Sequence, residues 1–221
     1  MTFPTQSTDR SKTLLWIEFV ALFVGAPLLI TATFGILPLL PIIAAFAGLS
    51  LILLQFTPGW EWRRLLRGPV FGEWRILLLY FAVTLALSLT IVFTLIPERF
   101  LELPTHRPDL WLTILVLYPI FSAFPQEIIF RTLFFERYGR LFPNPVVAIF
   151  ANGVAFALGH LFFNSWVTIG MTGVGGAIMG WAYLRNRSIG LPWALHSIAG
   201  QIIFTVGLGV YFYHGAIGAT P

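Results

Sequence analysis

The chain has 221 residues, 57% of them hydrophobic and only 10% charged. Soluble domains carry about 25% charged residues, so this composition excludes a soluble globular protein. The formal charge of +4 sits on arginines between apolar runs, which marks membrane topology rather than nucleic-acid binding. With no cysteine, a disulfide framework, a thiol nucleophile and a cysteine zinc site are excluded as well.

Apolar runs near the ~20 residues of a membrane helix are read at 14–34, 36–55, 75–96, 110–137, 146–163, 167–184 and 189–213. They predict an all-α, polytopic membrane bundle of seven transmembrane helices. The last run holds Pro192 and several glycines, and it gives eight if it breaks in two. The first run follows Arg10 and Lys12 but contains Glu18 and outlasts a cleavable signal, so it is read as an uncleaved span. Pro38 and Pro41 disturb the second run, and Pro125 predicts a kink in the fourth. The segment 59–75 mixes Trp, Leu and Arg and reads either as an interfacial amphipathic stretch or as a plain loop anchored by tryptophans. Tyr211, Phe212 and Tyr213 read as an aromatic anchor.

Arginines set the expected orientation. Arg10, Lys12, Arg63, Arg64, Arg67, Arg75, Arg137, Arg140, Arg185 and Arg187 fall on one side, ten of thirteen basic residues. Arg99 and Arg107 on the other side are diluted by Glu98, Glu102 and Asp109. The N-terminus is therefore expected in the cytoplasm, and with seven spans the C-terminus lies outside. The setting is a lipid bilayer, read as a bacterial cytoplasmic membrane.

Few ionisable groups sit within the spans, and each is a functional-site candidate by its cost. Glu127 and Arg131 are spaced i, i+4, so they share a helix face and form an ion pair. Gln126 lies ~100° around from Glu127. Glu136 and Arg137 are placed at the cytoplasmic boundary. His160 and His196 each sit in a separate apolar run. A lone buried histidine is more often a packing residue, but two histidines and a carboxylate together favour a common site. Counted at ~1.5 Å per residue, Glu127, His160 and His196 lie ~15, ~22 and ~10 Å from the cytoplasmic face. That spread permits one site near mid-depth. Asn152 and Asn164 flank His160 at −8 and +4. Gly176 and Gly180 form a small-xxx-small pattern for close helix packing.

In order and spacing, Gln126-Glu127…Arg131, Phe156…His160 and His196…Gly200 resemble the CPBP family, the CAAX protease and bacteriocin-processing (ABI) intramembrane proteases. The family pattern is Glu-Glu-x-x-x-Arg, Phe-x-x-x-His and His-x-x-x-Asn on successive helices. The resemblance covers about residues 107–206, a CAAX-protease-like membrane domain between N-terminal spans at 1–106 and a C-terminal end at 207–221. It implies a helical bundle with a polar cavity open toward the cytoplasmic side and peptide hydrolysis in or beside the membrane. There the first Glu and the first His activate water, and the second His and the Asn stabilise the oxyanion.

Two positions depart from that pattern. Gln126 cannot accept a proton as a base, and Gly200 has no amide donor. Glu127 as base, with Gln126 holding a water, and Gln201 or Asn164 as substitute amide are the expected compensations. The catalytic set is then Glu127, His160, His196, Gln126 and Arg131, acting on a membrane-associated peptide or protein substrate without a cofactor. Zinc held by Glu127, His160 and His196 is the lower-ranked alternative. Prenylated CAAX peptides are the family's eukaryotic substrate and are not expected for a small bacterial chain. Two other functions stay open: a catalytically silent pseudoprotease that binds membrane peptides, and a small transporter or immunity-type protein, against which the lack of an internal repeat counts.

Overall fold

The computed structural model describes residues 12–33, 38–65 and 71–212. Among these residues there are eight helices and no strand. In chain order they are α1 (Lys12–Ala32), α2 (Leu39–Gln55), α3 (Trp74–Leu95), α4 (Glu102–His106), α5 (Pro108–Leu141), α6 (Pro145–Phe163), α7 (Trp166–Asn186) and α8 (Gly190–Val206). Helices α1, α3, α5, α6 and α7 are long and apolar enough to cross a membrane; α2 and α8 have 17 residues each. Side chains such as Leu78, Leu79, Leu87 and Phe93 on α3 point outward. An apolar surface of that extent is stable only against hydrocarbon.

Several breaks follow from local chemistry. Pro38 precedes α2 and Pro41 lies in its first turn, where a missing N–H leaves no intrahelical bond unmade. Asn144 caps α6 by accepting from the Val147 N–H, and Ser165 caps α7 by accepting from the Thr168 N–H. The eighth helix in this count is the short α4, while the last run does break, at Gly207, into α8 and a 3₁₀ turn at Leu208–Tyr211. The expected span 189–213 stops as a helix at Val206, because Gly207 takes φ +112°. A Cβ at Gly207 would also stand 2.1 Å from the Arg99 carbonyl oxygen. Replacing Gly207 by alanine should therefore lower the Tm of the detergent-solubilised protein. Gly48→Ala, with no atom within 4 Å of the added carbon, should hold or raise it.

Helix α5 is the centre of the bundle. Every residue from Gln126 to Tyr138 is buried. The expected kink at Pro125 takes the form of wider turns: the helix runs on through π-helical stretches at Pro119–Ala123 and Ile128–Tyr138. Around it packs an aromatic core, with Phe134 meeting Phe19, Phe23 and Phe142 at ring separations of 5.3–5.5 Å. Helices α6 and α7 approach closely on glycine. A Cβ at Gly176 would fall 3.0 Å from the Gly153 Cα, and one at Gly180 2.9 Å from Asn152 Oδ1, as the small-xxx-small pattern predicted.

Charges at the arginine-rich end are tied across the chain. Arg137 binds Glu18 at 2.8 Å and donates to the Leu53 carbonyl and the Thr57 hydroxyl, pinning α5 to α1 and α2. Glu136 meets Arg187 at 3.1 Å and accepts from Tyr183. In the segment after α2, Arg63 and Arg64 bind Glu61 and hold its carboxyl below the usual range. The segment then docks through the Leu65 carbonyl, which accepts from the Ile189 N–H. His214, Arg10 and Arg67 lie outside the described residues, as does the far end of the aromatic anchor.

Candidate functional site

Gln126, Glu127 and Arg131 project from the middle of α5. The Glu127 and Arg131 side chains have no exposed surface and stand 3.2 Å apart, the ion pair that the i, i+4 spacing predicted. Arg131 is further held by the Phe156 ring, 4.5 Å from the guanidinium carbon, and by Met179, whose sulfur accepts from Nη2 at 3.3 Å. A cation over an aromatic face recovers part of the solvation it has lost.

The other carboxylate oxygen of Glu127 reaches His196 on α8, with Nδ1 to Oε1 at 2.7 Å. An ionised carboxylate only accepts hydrogen bonds, so it fixes the proton on Nδ1 and leaves Nε2 as the acceptor nitrogen of the neutral ring. His160 is held in the same tautomer from another direction, because its Nδ1 donates to the Phe156 carbonyl at 2.8 Å. Phe156 lies between the two imidazoles, its ring 4.5 Å from that of His160 and 5.4 Å from that of His196. The runs that carry the two histidines and the glutamate thus meet at one place, as the depth estimate allowed.

Gln126, His160 and His196 line a cavity of about 1210 Å³; Glu127 and Arg131 do not. The carboxylate stands behind His196 and meets the cavity only through that ring. Gln126 occupies the cavity-facing position and donates to the Ser122 hydroxyl at 3.0 Å. Among the described residues no Asp or Glu lines the cavity, whose wall is mostly apolar. Its rim includes Leu40, Val83, Leu87, Leu117 and Phe121, all exposed, so it is open to hydrocarbon on the bundle's flank.

Neither expected substitute for the missing amide reaches this cavity. Asn164 is exposed and left-handed, at φ 50° beyond the end of α6. Gln201 donates to the Leu115 carbonyl. Asn152 is spent on the Phe130 carbonyl of the widened α5. Instead the space beside Gly200 is filled by Tyr118 of α5. A Cβ at Gly200 would fall 2.1 Å from Tyr118 Cε1 and 2.7 Å from its hydroxyl oxygen. Tyr118 and Ser122 escaped the sequence reading, since a tyrosine and a serine in an apolar run carry no pattern. The signal that pointed to Tyr118 was Gly200 itself, a motif position emptied for a neighbour.

The cavity occupies one half of the bundle. It draws on the C-terminal parts of α1, α3, α6 and α8 and the N-terminal parts of α2, α5 and α7. Arg137 and Arg185 lie toward the opposite ends of α5 and α7, and Arg63 follows the opposite end of α2. The expected arginine-in orientation and the expected cytoplasmic opening therefore contradict each other in this chain. The zinc alternative does not fit either. Among the described residues no three His, Asp or Glu side chains are grouped to hold a metal ion. Glu127, tied to Arg131 and His196, does not line the cavity and so does not complete a ligand set with the two imidazoles there.

Residues 108–202 match the family model described as Type II CAAX prenyl endopeptidase Rce1-like. No curated protein and no solved structure matches the chain. The match spans both cavity histidines, the buried carboxylate and both departures from the family pattern, so the CPBP resemblance read from the three motifs holds: the chain carries an Rce1-like domain of the CAAX prenyl endopeptidase family over residues 108–202.

Proposed function

We propose that this protein is an intramembrane peptidase in which the His196–Glu127 pair, rather than a cavity carboxylate, activates water. The observation that carries the reading is the 2.7 Å bond from His196 Nδ1 to a carboxylate with no exposed surface, with the same ring lining the cavity. Nε2 of His196 takes a proton from water, and the hydroxide oxygen adds to the scissile carbonyl carbon. The tetrahedral adduct then collapses, the C–N bond breaks, and the leaving amine takes the proton back from Nε2. Glu127 keeps the ring in the right tautomer and stabilises the imidazolium, the service a buried carboxylate gives in serine hydrolases. Arg131 anchors Glu127. His160 and Gln126 offer an acceptor and an amide to the water or the peptide. The apolar rim suits a membrane-embedded or membrane-proximal segment.

The experiment is cleavage of a quenched-fluorescent library of apolar peptides in liposomes holding the purified chain. Turnover by the wild type that disappears in His196→Ala is the expected result; turnover that survives in His196→Ala removes the reading. The absence of a carboxylate from the cavity wall favours one competitor, a pseudoprotease that binds such segments uncut. Under that reading the wild type is silent, and Gln126→Glu, combined with Tyr118→Ala and Gly200→Asn, gains cleavage. Gly200→Asn cannot be tested alone because Tyr118 fills its space.

For orientation, we take the arginine-rich ends to face the cytoplasm, in a bacterial membrane, so the cavity half lies toward the outer leaflet. The chain has no native cysteine, so single cysteines report cleanly. A cysteine at Arg140 should react with an impermeant maleimide only in inverted vesicles, and one at Asp109 only in intact cells. The reverse pattern would turn the cavity inward.

A further inference from the structure

Building on the peptidase reading, we propose that the Tyr118 hydroxyl is the hydrogen-bond donor that holds the substrate carbonyl and its oxyanion. It stands in the place of the amide that Gly200 lacks. The hydroxyl oxygen lies 2.7 Å from where the Cβ of any side chain at position 200 would start. Tyrosine here reaches from α5 into the volume that an asparagine would fill from α8. Its ring packs edge-on against His196 at 5.9 Å and against Phe204 at 5.5 Å, which fixes where the hydroxyl points. The side chain lines the cavity together with Gln126, His160 and His196. Its hydroxyl has no hydrogen-bond partner among the described residues. A phenol donor on a mostly apolar wall is left to serve what enters. The two positions are coupled: any side chain at 200 displaces the ring, and the ring is admitted only because residue 200 is glycine.

The test compares Tyr118→Phe with the wild type in liposomes. Loss of one oxyanion donor costs about 10²-fold or more in kcat, so the phenylalanine variant should fall by that factor with KM within about twofold and Tm unchanged. The double variant Tyr118→Ala with Gly200→Asn, which returns an amide to the vacated space, should turn over faster than Tyr118→Ala alone. Wild-type kcat in Tyr118→Phe, or a loss carried only by KM, overturns the proposal. A second measurement separates this proposal from the peptidase reading. A peptide aldehyde, whose hydrate mimics the tetrahedral adduct, should bind the wild type more tightly than the matching peptide alcohol, and Tyr118→Phe should lose that preference. The preference is expected even if the wild type cleaves nothing, a result that sinks the peptidase reading alone. A wild type without the preference, or a phenylalanine variant that keeps it, overturns the role of Tyr118.

Discussion

Replacing Glu127 by glutamine should reduce kcat by about 10³–10⁴-fold, the scale seen when the carboxylate behind a catalytic histidine becomes an amide. The reason is the tautomer. Glu127 accepts from Nδ1 of His196 at 2.7 Å, and this alone leaves Nε2 free to take a proton in the cavity. A glutamine that turns its amide to the ring donates to Nδ1 instead. It then drives the ring proton to Nε2, where no base is left. The signature is non-additivity. If the pair acts as a unit, Glu127→Gln with His196→Ala should be no slower than His196→Ala alone. Rates are taken per folded molecule, measured by size exclusion in detergent, because Arg131 loses its counter-charge in the same change. A glutamine variant that keeps more than a tenth of the wild-type rate would show that Glu127 only neutralises Arg131.

How much of this was legible beforehand follows from the range of each signal. The Glu127–Arg131 pair is local, four residues along one helix, and was read correctly from spacing. The meeting of α5, α6 and α8 at Phe156 was legible because buried ionisable groups are costly alone and therefore converge. What escaped were contacts made across the chain by side chains with no pattern of their own. Arg137 was read as a boundary residue, yet it holds Glu18 from 119 positions away. Tyr118 was one aromatic among many. Gln126 was placed in the site from its position beside Glu127, but which of the two faces the cavity was not legible, because the ~100° between helical neighbours does not say which face the bundle turns inward. The end of the last span was misjudged for a different reason. Hydropathy runs on through Leu208 and Val210, but the left-handed Gly207 ends the helix, and hydropathy has no sense of backbone angle.

Arg131→Met should be the most destabilising single change in the bundle, costing about 3–5 kcal/mol, as when one partner of a fully buried ion pair is removed. Both side chains have no exposed surface. Glu127 would lose its only full counter-charge and keep a single bond to His196. Methionine fills the space over Phe156 but offers no charge. The expected result is a large drop in Tm in detergent. Adding Glu127→Gln to Arg131→Met should recover most of it, because a neutral pair no longer carries the penalty of a lone buried charge. That rescued protein should nevertheless remain as inactive as Glu127→Gln. Stability restored without activity separates the two services of Glu127, holding Arg131 and orienting His196. A rescued variant that also regains turnover would assign the carboxylate to packing alone, and an Arg131→Met protein with wild-type Tm would mean that the ion pair contributes nothing to the fold.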